Sequence, residues 1–334
     1  MRKYLIPEEG NFYKANLHSH SNISDGALTP EEIKKIYKEQ GYSVFAYTDH
    51  DVMIPHPELN DGEFLTLNGF EAEITEKDVT PFGGARTCHL CFIARTPDIK
   101  GQPCWNTEDA RIGNAPNYRD AVIKDERSIG FVREYTSENI NELIRICREA
   151  GFFITYNHPT WSLEDYPVYT SYHGMHAMEV YNHSSACLGY DEQNAAKYDD
   201  ILKGGERIFA VASDDNHNKR NDSFGGFVMI KAERLEYTAV TDALFNGSFY
   251  ASQGPEIKSL YVEDGRLFVE TSDATSITAT TKIRRATAVF AEEGKSVNSL
   301  SFALEDAMEY VRVTVTDKNG KRAWSRAYFI DELA

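Results

Sequence analysis

The chain has 334 residues, 41% of them apolar, which suffices for a full core and for either one large domain plus a small one or two middling domains. Its 35 Lys and Arg stand against 52 Asp and Glu, a net charge of −17 that argues against a long nucleic acid as partner, because such binding needs basic groups to neutralise phosphates. No run of roughly eighteen apolar residues is present, which excludes a membrane-spanning helix, and the start Met1-Arg2-Lys3-Tyr4-Leu5 lacks the apolar stretch and cleavage pattern of a signal peptide.

From the start to about residue 254, β-rich runs alternate with helical patterns. The runs Lys14–His18, Val44–His50, Phe64–Ile74, Thr87–Ala94, Phe152–Asn157, Ala177–Asn182, Ile208–Ser213 and Phe227–Ala232 are predicted strands. Thr29-Pro30-Glu31-Glu32 predicts a helix start, with Thr29 as cap, proline in the first turn and acids at the positive end. A second helix is predicted from Ser137 through Leu143, Ile144 and Cys147, with apolar spacings of three and four and Gly151 as its stop. Such alternation implies an α/β fold with a mainly parallel sheet or barrel over residues 1–254. Residues 96–136 break the pattern. They are rich in Pro, Gly, Asn and charge and are expected to form an insertion over the barrel mouth. Beyond Gly254-Pro255 the strands flank turns at Asp264-Gly265 and at Lys318-Asn319-Gly320, which predicts a small antiparallel, sandwich-like β domain over 255–334.

Histidines and acids recur where the predicted strands of the first domain end. They fall in Leu17-His18-Ser19-His20, Ser24-Asp25-Gly26, Thr48-Asp49-His50-Asp51, Gly69-Phe70-Glu71, Cys88-His89-Leu90-Cys91, Asn157-His158-Pro159 and Asp214-Asp215-Asn216-His217. A single histidine is more often packed or exposed than a ligand. Here, however, the segments would converge on one mouth of an α/β barrel and carry residue types suited to zinc, manganese or iron. His18 and His20 point the same way if the strand continues through them.

These ordered motifs resemble the polymerase-and-histidinol-phosphatase (PHP) superfamily over about 200 residues, and the β-rich tail resembles, more loosely, a branch with carbamate and amide hydrolases. The resemblance implies a distorted (β/α)7 TIM-like barrel holding two or three divalent ions. One ion would take His18, His20, Glu71 and Asp215; a second would share Glu71 and add His89 and His158; a third would take Asp25, His50 and His217. Three carboxylates and a hydroxide against three divalent ions leave a formal charge of about +2, which suits a small anionic, phosphorylated substrate. The implied activity is a phosphoesterase in which hydroxide between paired metals attacks phosphorus. Glu71, Asp215 and His217 are its expected catalytic residues. A carbamate or amide hydrolase with the same site, and a non-catalytic metal-containing binding module, are the alternatives.

Other residues are open to two readings. Lys219 and Arg220 could clamp a phosphate or simply solvate a loop, and His183 could line the mouth. Asp49 and Asp51 could orient ligands or lie on the surface, and Asp214 is expected to be structural. Cys88 and Cys91 form a C-x-x-C without a second pair, and their odd spacing on a strand points them to opposite faces, so both are expected to pack. Five cysteines, an odd number, suggest reduced thiols and a cytoplasmic setting.

Overall fold

Runs of β-branched and aromatic residues become strands close to where the sequence places them. The computed structural model describes residues 2–333 and opens with β1 (Lys3–Tyr4), β2 (Asn11–Asn16), β3 (Val44–Tyr47), β4 (Leu65–Thr75) and β5 (Thr87–Ala94). It continues with β6 (Phe152–Tyr156), β7 (Ala177–Asn182), β8 (Phe209–Ser213), β9 (Phe227–Ala232) and β10 (Phe249–Ser252). The predicted strands 14–18 and 44–50 stop early, at Asn16 and Tyr47, so His18, His20 and His50 stand on the loops beyond β2 and β3. Two helices cover the core as expected. Helix α1 (Pro30–Glu39) starts with a capping box in which Thr29 and Glu32 satisfy each other's backbone N–H groups. Helix α2 (Ser137–Glu149) buries Ile140, Leu143, Ile144 and Cys147.

The strands form a mixed sheet, not the mainly parallel barrel expected. Parallel pairing joins β2, β3 and β4, and again β6, β7 and β8, but β5 runs antiparallel to both β4 and β6. The reason is the connection: residues 76–86 join β4 to β5 without the crossover that parallel neighbours require. β9 likewise lies antiparallel to β2 and β10. Among the described residues no ladder joins β8 to β9, so the sheet curls without closing. The curl is nonetheless tight enough for the loop after β8 to meet the loop after β2. Asp215 N donates to His18 O at 3.0 Å, and His20 N donates to Asn216 O at 2.9 Å.

The tail contributes β11 (Ile257–Glu263), β12 (Arg266–Ala274), β13 (Ser276–Thr281), β14 (Thr287–Phe290), β15 (Val297–Ala303), β16 (Tyr310–Thr316), β17 (Arg322–Ser325) and β18 (Tyr328–Phe329). The β11–β12 hairpin turns at Asp264 and Gly265, both with positive φ (48° and 72°), the pairing that matches strand twist. Two strand pairings join the tail to the rest: β1 pairs with β11 in a four-stranded sheet, and β17 pairs with β10, so that the large sheet runs on into the tail. Tyr310, Trp324, Ala327 and Phe329 belong to the same buried cluster as Phe70, Phe92 and Tyr156.

Residues 96–136 pack on the loops that follow β2 and β3. Ala110, Ala115 and Val122 cluster with Ile23 and Val52, and Gln102 exchanges hydrogen bonds with the backbone of Asp51 (2.9 Å) and Met53 (2.8 Å). Gly113 comes so close that a Cβ there would stand 2.2 Å from Ser24 O, which fixes glycine at this point. No helix among the described residues is long and apolar enough to cross a membrane.

Candidate metal centre

The loops after β2, β3, β6 and β8 converge with the middle of β4 and the start of β5, and they bring all nine expected residues into one cluster. Glu71 is its hub. It is fully buried in β4, with Oε1 at 3.1 Å from His18 Nε2, 3.1 Å from His89 Nδ1 and 3.5 Å from His158 Nε2. Its Oε2 faces His20 Nε2 at 3.3 Å and His50 Nδ1 at 3.2 Å. Asp215 Oδ1 lies 3.2 Å from His18 Nε2 and 3.1 Å from His20 Nε2, and those two nitrogens are themselves 3.2 Å apart. Asp25 faces His217 at 3.3 Å and His50 at 3.7 Å. His50 thus touches Glu71 as well as Asp25, a position between two of the expected ligand sets.

The donor set fits divalent ions. A tetrahedral cage with bonds of about 2.0 Å has edges of about 3.3 Å, and His18 Nε2, His20 Nε2 and Asp215 Oδ1 stand 3.1 to 3.2 Å from one another, as three corners of such a cage would. Five buried atoms in the cluster, His20 Nδ1, Asp25 Oδ1, His50 Nδ1, Glu71 Oε2 and His89 Nε2, make no hydrogen bond. A folded protein rarely leaves so many polar atoms together without a partner. The chemistry of the groups matches as well, with neutral imidazoles and ionised carboxylates as ligands.

The electrostatics follow from burial and crowding. Burial opposes protonation of His18, His20 and His89, but the charges of Asp215 and Glu71 outweigh it and raise all three. Burial and the His20 charge push His50 down to about 3. Burial likewise favours neutral carboxyls at Asp25, Glu71 and Asp215, yet the imidazoles around them prevail and hold all three below the usual carboxylate range. Two cluster residues also adopt positive φ, Asp215 at 53° and His158 at 24°, conformations that cost about 1–3 kcal/mol each and concentrate at functional sites.

The remaining expectations divide. Asp49 accepts from the N–H and hydroxyl of both Ser21 and Ser24 at 2.7–3.1 Å, so it fastens the loop that carries Asp25. Asp51 pairs with buried Arg133 from the 96–136 segment. Asp214 accepts from Phe224, Gly225 and Gly226 N–H groups and from Tyr37, a structural role. Lys219, with Nζ 3.8 Å from Asp25, and Arg220 both line the cleft. His183 does not. Its ring is engaged by the Tyr181 hydroxyl at 2.9 Å and packs on Gly225, while Ser184 and Ser185 line the cleft instead.

Two residues escape the sequence reading. Cys91, expected only to pack, lies in one metal-competent group with His18 and Glu71. Glu179, in the middle of β7, is fully buried and accepts from His18 Nδ1 (2.8 Å), His158 N (2.8 Å), Asn182 Nδ2 (2.8 Å) and the Ser213 hydroxyl. It fixes the ring of His18 so that Nε2 faces the cluster. Glu179→Gln is expected to weaken metal affinity by roughly 10–100-fold with the fold intact, as measured by chelator competition. Unchanged affinity would reduce Glu179 to a packing role.

The cleft above the cluster has a volume of about 280 Å³, with Ile112, Trp161, Leu188, Lys219 and Arg220 around it. Residues 16–211 match the family model described as PHP domain. Over 98% of both chains, the fold is similar to a two-domain protein from Bacteroides vulgatus described as containing a predicted PHP-like metal-dependent phosphoesterase (14% identity, TM-score 0.45). It is also similar to a proposed metal-dependent phosphoesterase from Bifidobacterium adolescentis (16% identity, TM-score 0.38, 64% of this chain and 91% of that one). A third similar structure is an amidohydrolase from Chromobacterium violaceum with bound sulfate and no metal (17% identity, TM-score 0.39, 62% and 89% covered). No curated protein matches the chain.

Proposed function

The chain belongs to the PHP domain family, and from that premise we propose that it is a metal-dependent phosphoesterase acting on a small phosphorylated metabolite or nucleotide. The observation that carries this reading is the cluster itself. Three carboxylates and six imidazoles meet at the floor of a cleft whose edge bears the cations Lys219 and Arg220. His18, His20, Glu71 and Asp215 would hold one ion, Glu71, His89 and His158 a second, and Asp25, His50 and His217 a third. Such ions lower the pKa of water and offset charge developing on phosphoryl oxygens.

The chain's own groups have distinct tasks. Glu71, through its two oxygens, keeps imidazoles from four segments in register. Against the pull of burial, the surrounding imidazoles keep Asp215 ionised as a ligand requires, and Asn182 orients its Oδ2 at 3.3 Å. His217 contacts the Asp215 carbonyl through Nδ1 at 2.9 Å, which leaves Nε2 for Asp25 and the cleft. Lys219 and Arg220 would take the anionic end of the substrate. That local charge lets a chain of net charge −17 accept a small anion.

Turnover of phosphomonoesters, phosphodiesters and carbamates by the Mn²⁺-loaded protein tests the proposal. Hydrolysis of a phosphate ester is expected. Hydrolysis of carbamates alone would make it a carbamate hydrolase, and turnover of nothing would make it a binding module.

A further inference from the structure

Beside the metal-side cleft opens a second cavity of about 340 Å³, which shares Glu73, His89, Ile112 and Trp161 with it. The rest of its lining is Leu163, Tyr190, Ala85, Gly83, Thr75 and Thr87. Lys219 and Arg220 line only the first cavity, and among the described residues lining the second there is no lysine or arginine. The two cavities therefore differ in character: the first holds the cations and the metal-binding cluster, the second Leu163, Tyr190 and no cation.

The apolar end is built with some care. Trp161 stands edge-on to both His89 and His158, at centroid distances of 5.4 and 5.0 Å, and its backbone N–H donates to buried Glu192 at 2.6 Å. The indole is thus held in place on the wall that the two cavities share, beside His89. Leu163 is 45% exposed and holds φ at 61°, a conformation that leucine resists and that asparagine or glycine would adopt at lower cost. Folding alone gives no reason for an exposed leucine there, whereas lining a cavity does. Tyr190, 41% exposed, adds a second ring.

We propose that this second cavity is the leaving-group subsite and receives an uncharged alcohol bearing an aromatic ring or a comparably flat apolar group. The inference rests on the phosphoesterase reading above. The phosphoryl end lies toward Lys219 and Arg220, and the ring lies against Trp161, Leu163 and Tyr190. Glu73, on the shared wall, repels a leaving group that carries its own anion. In the reaction, water oxygen bonds to phosphorus and the bond from phosphorus to the ester oxygen breaks. One proton of water ends on the departing alcohol, the other on phosphate.

Benzyl phosphate and methyl phosphate test this, since their leaving alcohols are of similar acidity and differ chiefly in the ring. With the Mn²⁺-loaded protein, kcat/KM for benzyl phosphate is expected to exceed that for methyl phosphate by roughly ten-fold or more. Leu163→Asn should erase most of that preference through KM, leaving methyl phosphate little changed. Leu163→Asn also relieves the backbone, so an unchanged or raised Tm separates it from a folding defect. Equal turnover of the two esters by the wild type, or equal slowing of both in Leu163→Asn, overturns the subsite. If neither ester is hydrolysed, the wider screen of phosphate esters decides the phosphoesterase reading, and calorimetry decides the subsite separately. Benzylphosphonate bound ten-fold more tightly than methylphosphonate retains it as a binding site; equal affinity removes it.

Discussion

Glu71→Gln is expected to strip metal from the protein and to lower turnover far beyond the roughly 10–100-fold that loss of an outer orienting partner costs. The side chain is fully buried and has five imidazoles within 3.5 Å, so no other residue can substitute for its charge. An amide of the same shape keeps the packing but offers one weak acceptor and one donor where two anionic oxygens stood. That donor would point at ring nitrogens or at bound cations, an unfavourable contact on either side. The Asn157 amide, which donates to Oε1 at 2.7 Å, would face a mismatch as well whenever the new amide nitrogen took that position. Asp25→Asn provides the contrast. Asp25 is partly open, lies at the edge of the cluster, and meets the His18, His20, Glu71 and Asp215 set only at His20 Nδ1, 3.9 Å away. A residual rate with a raised KM is expected for that variant. Metal stoichiometry measured beside kcat and KM checks both; a Glu71→Gln protein with full metal and near-normal kcat would show that Glu71 does not bridge the sites.

What the sequence revealed and what it hid have the same physical origin. His18, His20, His50, His158, Asp215 and His217 stand out because each follows a strand end by a few residues, and strand ends are marked by local composition. Glu71 and His89 stand out in the sequence in the same way, but they lie within β4 and β5 and not at the strand ends that the pattern implies. Glu179 was hidden in the run Ala-Met-Glu-Val-Tyr-Asn, although a lone carboxylate in a fully buried strand is itself a signal, since glutamate is almost never buried unpaired. Cys91 was set aside for its spacing to Cys88. The period of two that separates those cysteines also puts Cys91 on the same face as His89, toward the cluster. The open sheet was beyond local reading altogether. It depends on the antiparallel entry of β5 and on β10 pairing with β17, whose partners Ala251 and Trp324 are remote in sequence.

The double variant His18→Ala, His20→Ala is expected to lose bound metal and part of the thermal response to it. The two Nε2 atoms and Asp215 Oδ1 lie within 3.2 Å of one another, so the pair forms half of the tightest ligand set in the cluster. Wild-type protein in about thousand-fold excess of metal over Kd should gain about 4 kcal/mol, which for a chain of this length raises Tm by about 4–8 °C. The variant should lose the part of that gain that the His18, His20, Glu71 and Asp215 set supplies. It should also melt lower than metal-free wild type, because Glu71 and Asp215 would remain buried without the imidazoles that compensate them, a loss on the order of 3–5 kcal/mol. The two effects can be separated by scanning both proteins with chelator and with Mn²⁺ and Zn²⁺, alongside elemental analysis. A variant that melts lower but still carries stoichiometric metal and still rises in Tm as far as wild type on metal addition would remove His18 and His20 from the ligand set. A wild-type protein that stays metal-free and shows no Tm response to zinc, manganese or iron would overturn the metal-centre assignment as a whole.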